Sequence, residues 1–225
     1  TAGLILSSTG VPVSLEAQEE FTGKWIFDNY FEKNLDLTQL GKNATVVFDN
    51  CSSDTDRYFA SGILTFEQNI ELLNSGLTLR NGYSTAVYTF TGKWTGDGTF
   101  NRSSVIADTY IFAGDMSEFA GNMTTNANNS VFFGGRDSAA WATGDLNHVT
   151  GTGAITAGKE IVYFYSNDVK SANSYAGTGT LIKKGTNAMT LTKDVTIANI
   201  TIEGGTLTLG AGVTQLTSTS IANNG

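Results

Sequence analysis

The clearest regularity in the chain is a series of short apolar-Thr-apolar triplets. In the last third they are Met189-Thr190-Leu191, Val195-Thr196-Ile197, Ile200-Thr201-Ile202 and Leu207-Thr208-Leu209, separated by only a few positions each. Alternation with period two predicts strands whose apolar side chains share one face. Strands of ordinary antiparallel sheets average about 5–6 residues and are joined by hairpin turns. Such short, closely spaced strands predict instead a chain that bends after each strand and winds around a narrow apolar interior. That is an all-β solenoid of parallel strands, in which each turn covers the open edge of the one before.

Internal repeats point the same way. Phe21-Thr22-Gly23-Lys24-Trp25 recurs letter for letter as Phe90-Thr91-Gly92-Lys93-Trp94. Phe-Ala-Gly stands at 112–114 and 119–121, Gly-Thr-Gly at 151–153 and 177–179, and Gly-Thr-Leu at 179–181 and 205–207. A coil of about 22–26 residues with three strands and three turns accommodates these offsets, and roughly ten coils at ~4.8 Å each make a rod of about 45–50 Å. Gly (26) and Asn (19) suit the bends, because both tolerate a left-handed backbone. With one proline in 225 residues, almost every backbone N–H can join a ladder.

Composition divides the rod. All 24 aromatic residues lie in 1–175. Residues 1–225 are expected to form a single solenoid segment, with irregular, aromatic and loop-rich coils over 1–150 and regular coils over 151–225. Segments 29–42 and 49–59 are expected loops, and 28–40 a short amphipathic helix using Phe31, Leu35 and Leu40. Leu216 and Ile221 follow the last triplet with no charged cap, so the chain is expected to be a fragment of a longer rod.

Charge removes several partners. The net charge is −8, distributed as −5 over 1–60, −3 over 61–120 and 0 beyond. An acidic N-terminal half repels phosphate backbones, so nucleic acid is not an expected partner. No basic cluster is present to hold an anionic membrane, and Lys183-Lys184 is expected to be a solvated turn. No apolar run approaches the roughly 18 residues of a membrane span, so direct insertion by this segment is not expected. The single cysteine, Cys51, is expected to be free and buried, and cysteine-based zinc binding is excluded.

The stretch 177–185 (Gly177-Thr178-Gly179-Thr180-Leu181-Ile182-Lys183-Lys184-Gly185), then Met189 to Thr192, then 200–210 with Gly204-Gly205-Thr206-Leu207-Thr208-Leu209-Gly210, resembles the autotransporter-associated β-strand repeat of Gram-negative passenger domains. The resemblance covers about residues 150–212 and departs from the family pattern at 193–199. It implies a right-handed parallel β-helix, export through a C-terminal outer-membrane barrel absent from this segment, and an extracellular or cell-surface location. The repeat carries no family-wide catalytic residues, so none transfers, and no enzyme activity or cofactor is expected.

Few residues suggest chemistry of their own. Ser84 in Gly82-Tyr83-Ser84 approximates a nucleophile elbow, but Val87 to Phe90 read as a strand where the elbow needs a helix. His148, shortly after Asp145, is the one imidazole and reads as a loop residue. Asp49, Asp54 and Asp56 form the densest carboxylate group, the pattern a polysaccharide-active β-helix enzyme would need, or else a solvated acidic loop. No calcium loop, Walker sequence or dinucleotide fingerprint occurs. Six glycosylation sequons, the first at Asn43, reflect a chain rich in Asn and Thr.

Aromatic side chains are the candidate binding groups: Trp25, Trp94, Trp141, Tyr163 and Tyr165 would stack on sugar rings if exposed, or pack the core if not. The expected role is therefore structural or adhesive, with a glycan, mucin or host-surface ligand and with self-association as an option. The rivals are a polysaccharide lyase or glycoside hydrolase on the same fold, and a β-sandwich carbohydrate-binding module.

Overall fold

The computed structural model describes residues 3–7, 20–29, 37–51, 56–58, 62–80, 85–102, 106–137 and 149–225. The chain is all-β, 2% helical, and stacked as a β-solenoid of about eight turns, fewer than the repeat offsets predict. Every strand pairing among the described residues is parallel. Facing layers joined by hairpins, which a β-sandwich module requires, are not what this chain builds.

Each coil visits three faces. The first holds Gly3–Ser7, Lys24–Asp28, Thr45–Asp49, Asn69–Leu73 and Trp94–Gly96, and reappears as Val169–Ser171, Ala188–Leu191 and Thr206–Leu209. The second runs from Asp56–Tyr58 through Gly76–Arg80, Thr99–Arg102 and Met123–Thr124 to Ala154–Ala157. The third runs from Ile63–Phe66 through Val87–Phe90, Thr109–Phe112 and Ser130–Phe133 to Glu160–Phe164. The longer strands Ser174–Lys184 and Val195–Ile202 bend across a corner, fusing the second and third faces into one 13-stranded sheet. Between Gly177 and Thr180 the register shifts where that bend is made, and Gly177 takes φ 111° there.

The four triplets form strands as their pattern demands, with Met189, Leu191, Val195, Ile197 and Ile200 buried but Leu209 44% exposed. Met189, Val195 and Ile200 lie in strands on the three successive faces, and Leu207 returns to the first face opposite Met189. The repeated pentapeptide also marks the coil. Trp25 lies opposite Val46, Val46 opposite Ile70 and Ile70 opposite Trp94, so the two copies are three complete turns apart. The Gly-Thr-Leu recurrence has another origin. Leu181 is on the third face and Leu207 on the first, so those motifs share corner chemistry, not position. Coil length varies along the rod, and Lys24, opposite both Gly3 and Thr45, marks two early turns of intermediate length. Thr45 stands opposite Asn69 early on, whereas Ala188 stands opposite Thr206 near the end. One coil is longer than the rest, with Met123 opposite Ile155.

Parallel register puts like side chains on top of one another inside the lumen. Phe66, Phe90, Phe112, Phe133 and Tyr163 occupy one inward position on five successive coils. Their ring centroids are 5.2, 5.3, 5.5 and 5.1 Å apart, close to the spacing of adjacent strands. Trp94 meets Phe90 and Phe112 edge-on from the first face. Each buried ring contributes about 1.5–3 kcal/mol, and each ring pair about 0.5–1.5 kcal/mol more.

Three expectations change. Residues 28–40 are not one helix: Asp28 ends a strand, Asn29 has φ 49°, and Leu37–Gln39 form a single 3-10 turn with Leu37 and Leu40 in the core. Phe31 and Leu35 lie outside the described residues. The expected loop over 49–59 contains a strand, Asp56–Tyr58, which pairs with Thr78 to Arg80. Nor is Lys183-Lys184 a solvated turn. Both close a strand, and alternation from Leu181 turns Lys183 inward, to 1% exposure, while Lys184 faces outward and pairs with Glu203 at 3.4 Å.

Candidate functional site

Corners are where backbone, charge and solvent meet in this fold. Asn50 and Asn74 turn the corner between the first and second faces with φ of 51° and 48°. The Cys51 N–H donates to Ser75 Oγ at 2.9 Å on the next coil, and the Cys51 thiol donates to Phe27 O at 3.2 Å. The thiol is free and 3% exposed, as expected. Asn50, Asn74, Ser75, Asp97 and Thr99 border an open groove of about 610 Å³ along this corner.

Asn and Asp side chains also stitch coils together. Asn69, Asn122 and Asp168 each accept a backbone N–H from the next coil, of Lys93, Ala154 and Ala188, at 2.7–2.9 Å. Asp194 accepts the N–H groups of Gln215 and Thr214, and those bonds hold its carboxyl below the usual carboxylate range.

The corner between the third and first faces carries a second groove, of about 400 Å³. Glu67, Thr91 and Ala113 each follow a lumen phenylalanine on successive coils, and Asn69, Lys93 and Asp115 come two positions later. Lys93 Nζ pairs with Glu118, and Lys42 with Glu67 at 3.3 Å. Gly92 and Gly114 sit between these side chains. A Cβ on Gly92 would land on the Gln68 carbonyl, and one on Gly114 on the Gly92 carbonyl, so the recurring Phe-x-Gly is required by the close approach of successive coils. Tyr165 reaches the groove from the far end. Its hydroxyl is held well above the usual tyrosine range by burial first, then by Tyr163 and Asp115.

Inside the lumen lies a closed polar cluster. Tyr163 OH is 3.0 Å from Thr150 Oγ1 and 2.5 Å from Tyr175 OH, and Tyr175 OH is 2.5 Å from Ser171 Oγ. Asn173 receives hydrogen bonds from Thr150 and Ser171 and donates to the carbonyls of Thr150 and Gly153. Burial pushes Tyr163 up to about 12, the hydrogen bonds with Thr150, Tyr175 and Ser171 opposing that shift.

Four of the five aromatic candidates are core residues. Trp25 is 4% exposed, Trp94 1%, Tyr163 1% and Tyr165 5%. Trp25 packs on Phe21 at 4.7 Å, and Trp94 is enclosed by Phe90, Phe100, Phe112 and Phe119. Neither indole N–H has a hydrogen-bond partner among the described residues. Rings so enclosed offer no open face to a sugar, and of the four only Tyr165 borders a groove. Trp141, Ser84, Asp145 and His148 lie outside the described residues, as does Asp54; Asp49 closes a first-face strand and Asp56 opens a second-face strand.

Among the described residues no group of three or more His, Cys, Asp or Glu is placed to hold a metal ion, and no helix is long and apolar enough to cross a membrane. What the exterior offers is hydrogen-bonding groups of mixed charge, arrayed at the coil pitch along two corners. Sequence reasoning missed Glu67, Asn69, Thr91, Lys93 and Asp115. For Thr91 and Lys93 a signal stood in the repeated pentapeptide, whereas Glu67-Gln68-Asn69 after Phe66 belongs to no repeat. No known protein family, characterised protein or solved structure matches the chain.

Proposed function

We propose that the chain is a stiff display segment of a secreted or cell-surface bacterial β-solenoid, an autotransporter-type passenger whose role is structural and adhesive. The single observation that carries this reading is the aromatic ladder from Phe66 to Tyr163, which fills the lumen through five coils without a break. A filled lumen resists bending, because shifting one coil unstacks rings in its neighbours. The corner grooves then repeat weak hydrogen-bonding sites along a rigid axis, the arrangement from which multivalent contact with glycan, mucin or a neighbouring cell gains avidity. The resemblance over residues 150–212 adds the route to the cell surface.

The purified chain coupled to beads should retain glycan-bearing cells and release them when the surface glycans are removed. Protease shaving of intact producing cells should remove the epitope. The rival reading, a polysaccharide-active enzyme, draws on Glu67 and Asp115, two carboxylates bordering one groove. Release of reducing sugar from a glycan panel would establish that rival, and retention without turnover supports adhesion.

A further inference from the structure

We infer that the groove on the third-to-first corner is the binding subsite, and that its ligand is a neutral oligosaccharide lying parallel to the solenoid axis. The inference rests on the adhesive reading and localises it.

Length and shape come first. Glu67, Thr91 and Ala113 follow Phe66, Phe90 and Phe112, and Tyr165 follows Tyr163 two rungs further on. Four coil steps at ~4.8 Å span about 19 Å, a length suited to an extended chain of linked rings rather than to one compact molecule. The volume of about 400 Å³ lies in the range of small-ligand sites. Gly92 and Gly114 admit no side chain on their coils, so nothing larger than hydrogen projects at those positions after the second and third rungs.

Chemistry narrows the class. Glu67, Asp115 and the Thr91 hydroxyl oxygen accept from sugar hydroxyls, while Lys93 supplies N–H donors. Asn69 commits its carbonyl oxygen to the Lys93 N–H, so its amide N–H groups are what it has to offer. Ala113 gives an apolar border for ring C–H groups, while Val149 and Tyr165, each 5% exposed, line the groove but offer it little surface. Lys93 is the one cation among the described lining residues, and Glu118 neutralises it. Lys42 likewise pairs with Glu67, so the charge left on the lining is that of Asp115, which a uronate, sialate or phosphate would meet within a chain of net charge −8.

An extended peptide fits less well. Peptides bind such folds by adding a strand to an open sheet edge. At this corner the N–H groups of Thr91, Ala113 and Gly114 are already donated to Phe66 and Phe90, and those of Ile70 and Trp94 to Lys93 and Asp115.

The test is calorimetric titration of the intact chain with a panel of neutral hexose oligosaccharides, their uronate counterparts and an extended hydrophilic peptide. A neutral member should bind. Thr91→Arg and Ala113→Arg, which crowd the groove from exposed and half-exposed positions, should each weaken it by about tenfold or more without moving the melting temperature. Thr99→Arg in the other groove should leave binding unchanged. If Thr99→Arg abolishes binding and the first two variants do not, the groove assignment falls while the adhesive reading stands. Preferential binding of the uronates or the peptide overturns the ligand class. Reducing-sugar release that Thr91→Arg and Ala113→Arg suppress would keep the groove and overturn the adhesive reading.

Discussion

Tyr163 and Lys183 lie opposite each other on adjacent coils, at the same inward position of the third face. Tyr163 is the last ring of the aromatic ladder, and Lys183 takes the next rung. Its Nζ donates toward Lys184 O at 2.7 Å, Gly185 O at 2.9 Å, Asn187 Oδ1 at 2.9 Å and Gly204 O at 3.2 Å. Four acceptors around three N–H groups hold a cation where five coils hold rings. Beyond this rung the lumen is packed by Met189, Leu191, Val195, Ile197 and Ile200, all buried.

Lys183→Met should therefore destabilise the chain. It leaves the Asn187 oxygen and the corner carbonyls without their donor, a loss of about 1–3 kcal/mol, read from the urea midpoint. Burial lowers the Lys183 pKa from 10.5, with Asp168 opposing the shift. Just below pH 10.5 the unfolded chain binds this proton more readily than the folded one, so Lys183 makes stability rise with pH in that window. Lys183→Met should flatten that rise.

Tyr163 has the opposite sign. Its phenol titrates at 10.0 unfolded and about 12 folded, so between these values the folded chain holds the proton that the unfolded chain has lost. Stability must fall as pH rises through that interval, by about 2–3 kcal/mol from this group alone. Tyr163→Phe should make the alkaline decline shallower, at a cost of about 1 kcal/mol near neutrality because Thr150 and Tyr175 lose a partner. Phenolate absorbance during alkaline titration, with and without urea, reports both effects.

Gly114→Ala tests the corner. A methyl group there meets the Gly92 carbonyl, which the ladder fixes in place. The expected loss is about 2–4 kcal/mol in thermal or urea unfolding, and a near-neutral result would show that the coils can move apart. Gly62→Ala is the converse case: its φ of 122° strains any side chain while nothing surrounds its Cβ position, so its cost reports backbone strain without the clash that Gly114→Ala introduces.

The tryptophans offer a reading without disruption of the core. In a Trp141→Phe background, emission from Trp25 and Trp94 should be blue-shifted and resistant to acrylamide, and should become quenchable on unfolding. Ready quenching in the native state would contradict their enclosure.

Much of this was legible in the residues. The triplets from Met189 to Leu209 predict a three-faced coil because a period-two alternation interrupted every few positions leaves no other way to bury both flanking apolar groups. The pentapeptide repeat marks whole turns for a related reason, since parallel stacking rewards like residues at like positions. The second groove was not legible. Glu67, Lys93 and Asp115 lie far apart along the chain, and only the coil length brings them to one corner.

What the sequence determined by itself is the kind of object: parallel short strands, glycine and asparagine at the bends, a buried free thiol. Those follow from local geometry and alternation, which each residue expresses through its neighbours. The tertiary structure decided which way each aromatic and Lys183 point, and so turned Trp25, Trp94 and Tyr163 from candidate binding groups into lumen packing. Coil length varies from one turn to the next, so the register that stacks each turn on its neighbour depends on every turn between them. No local pattern carries that sum.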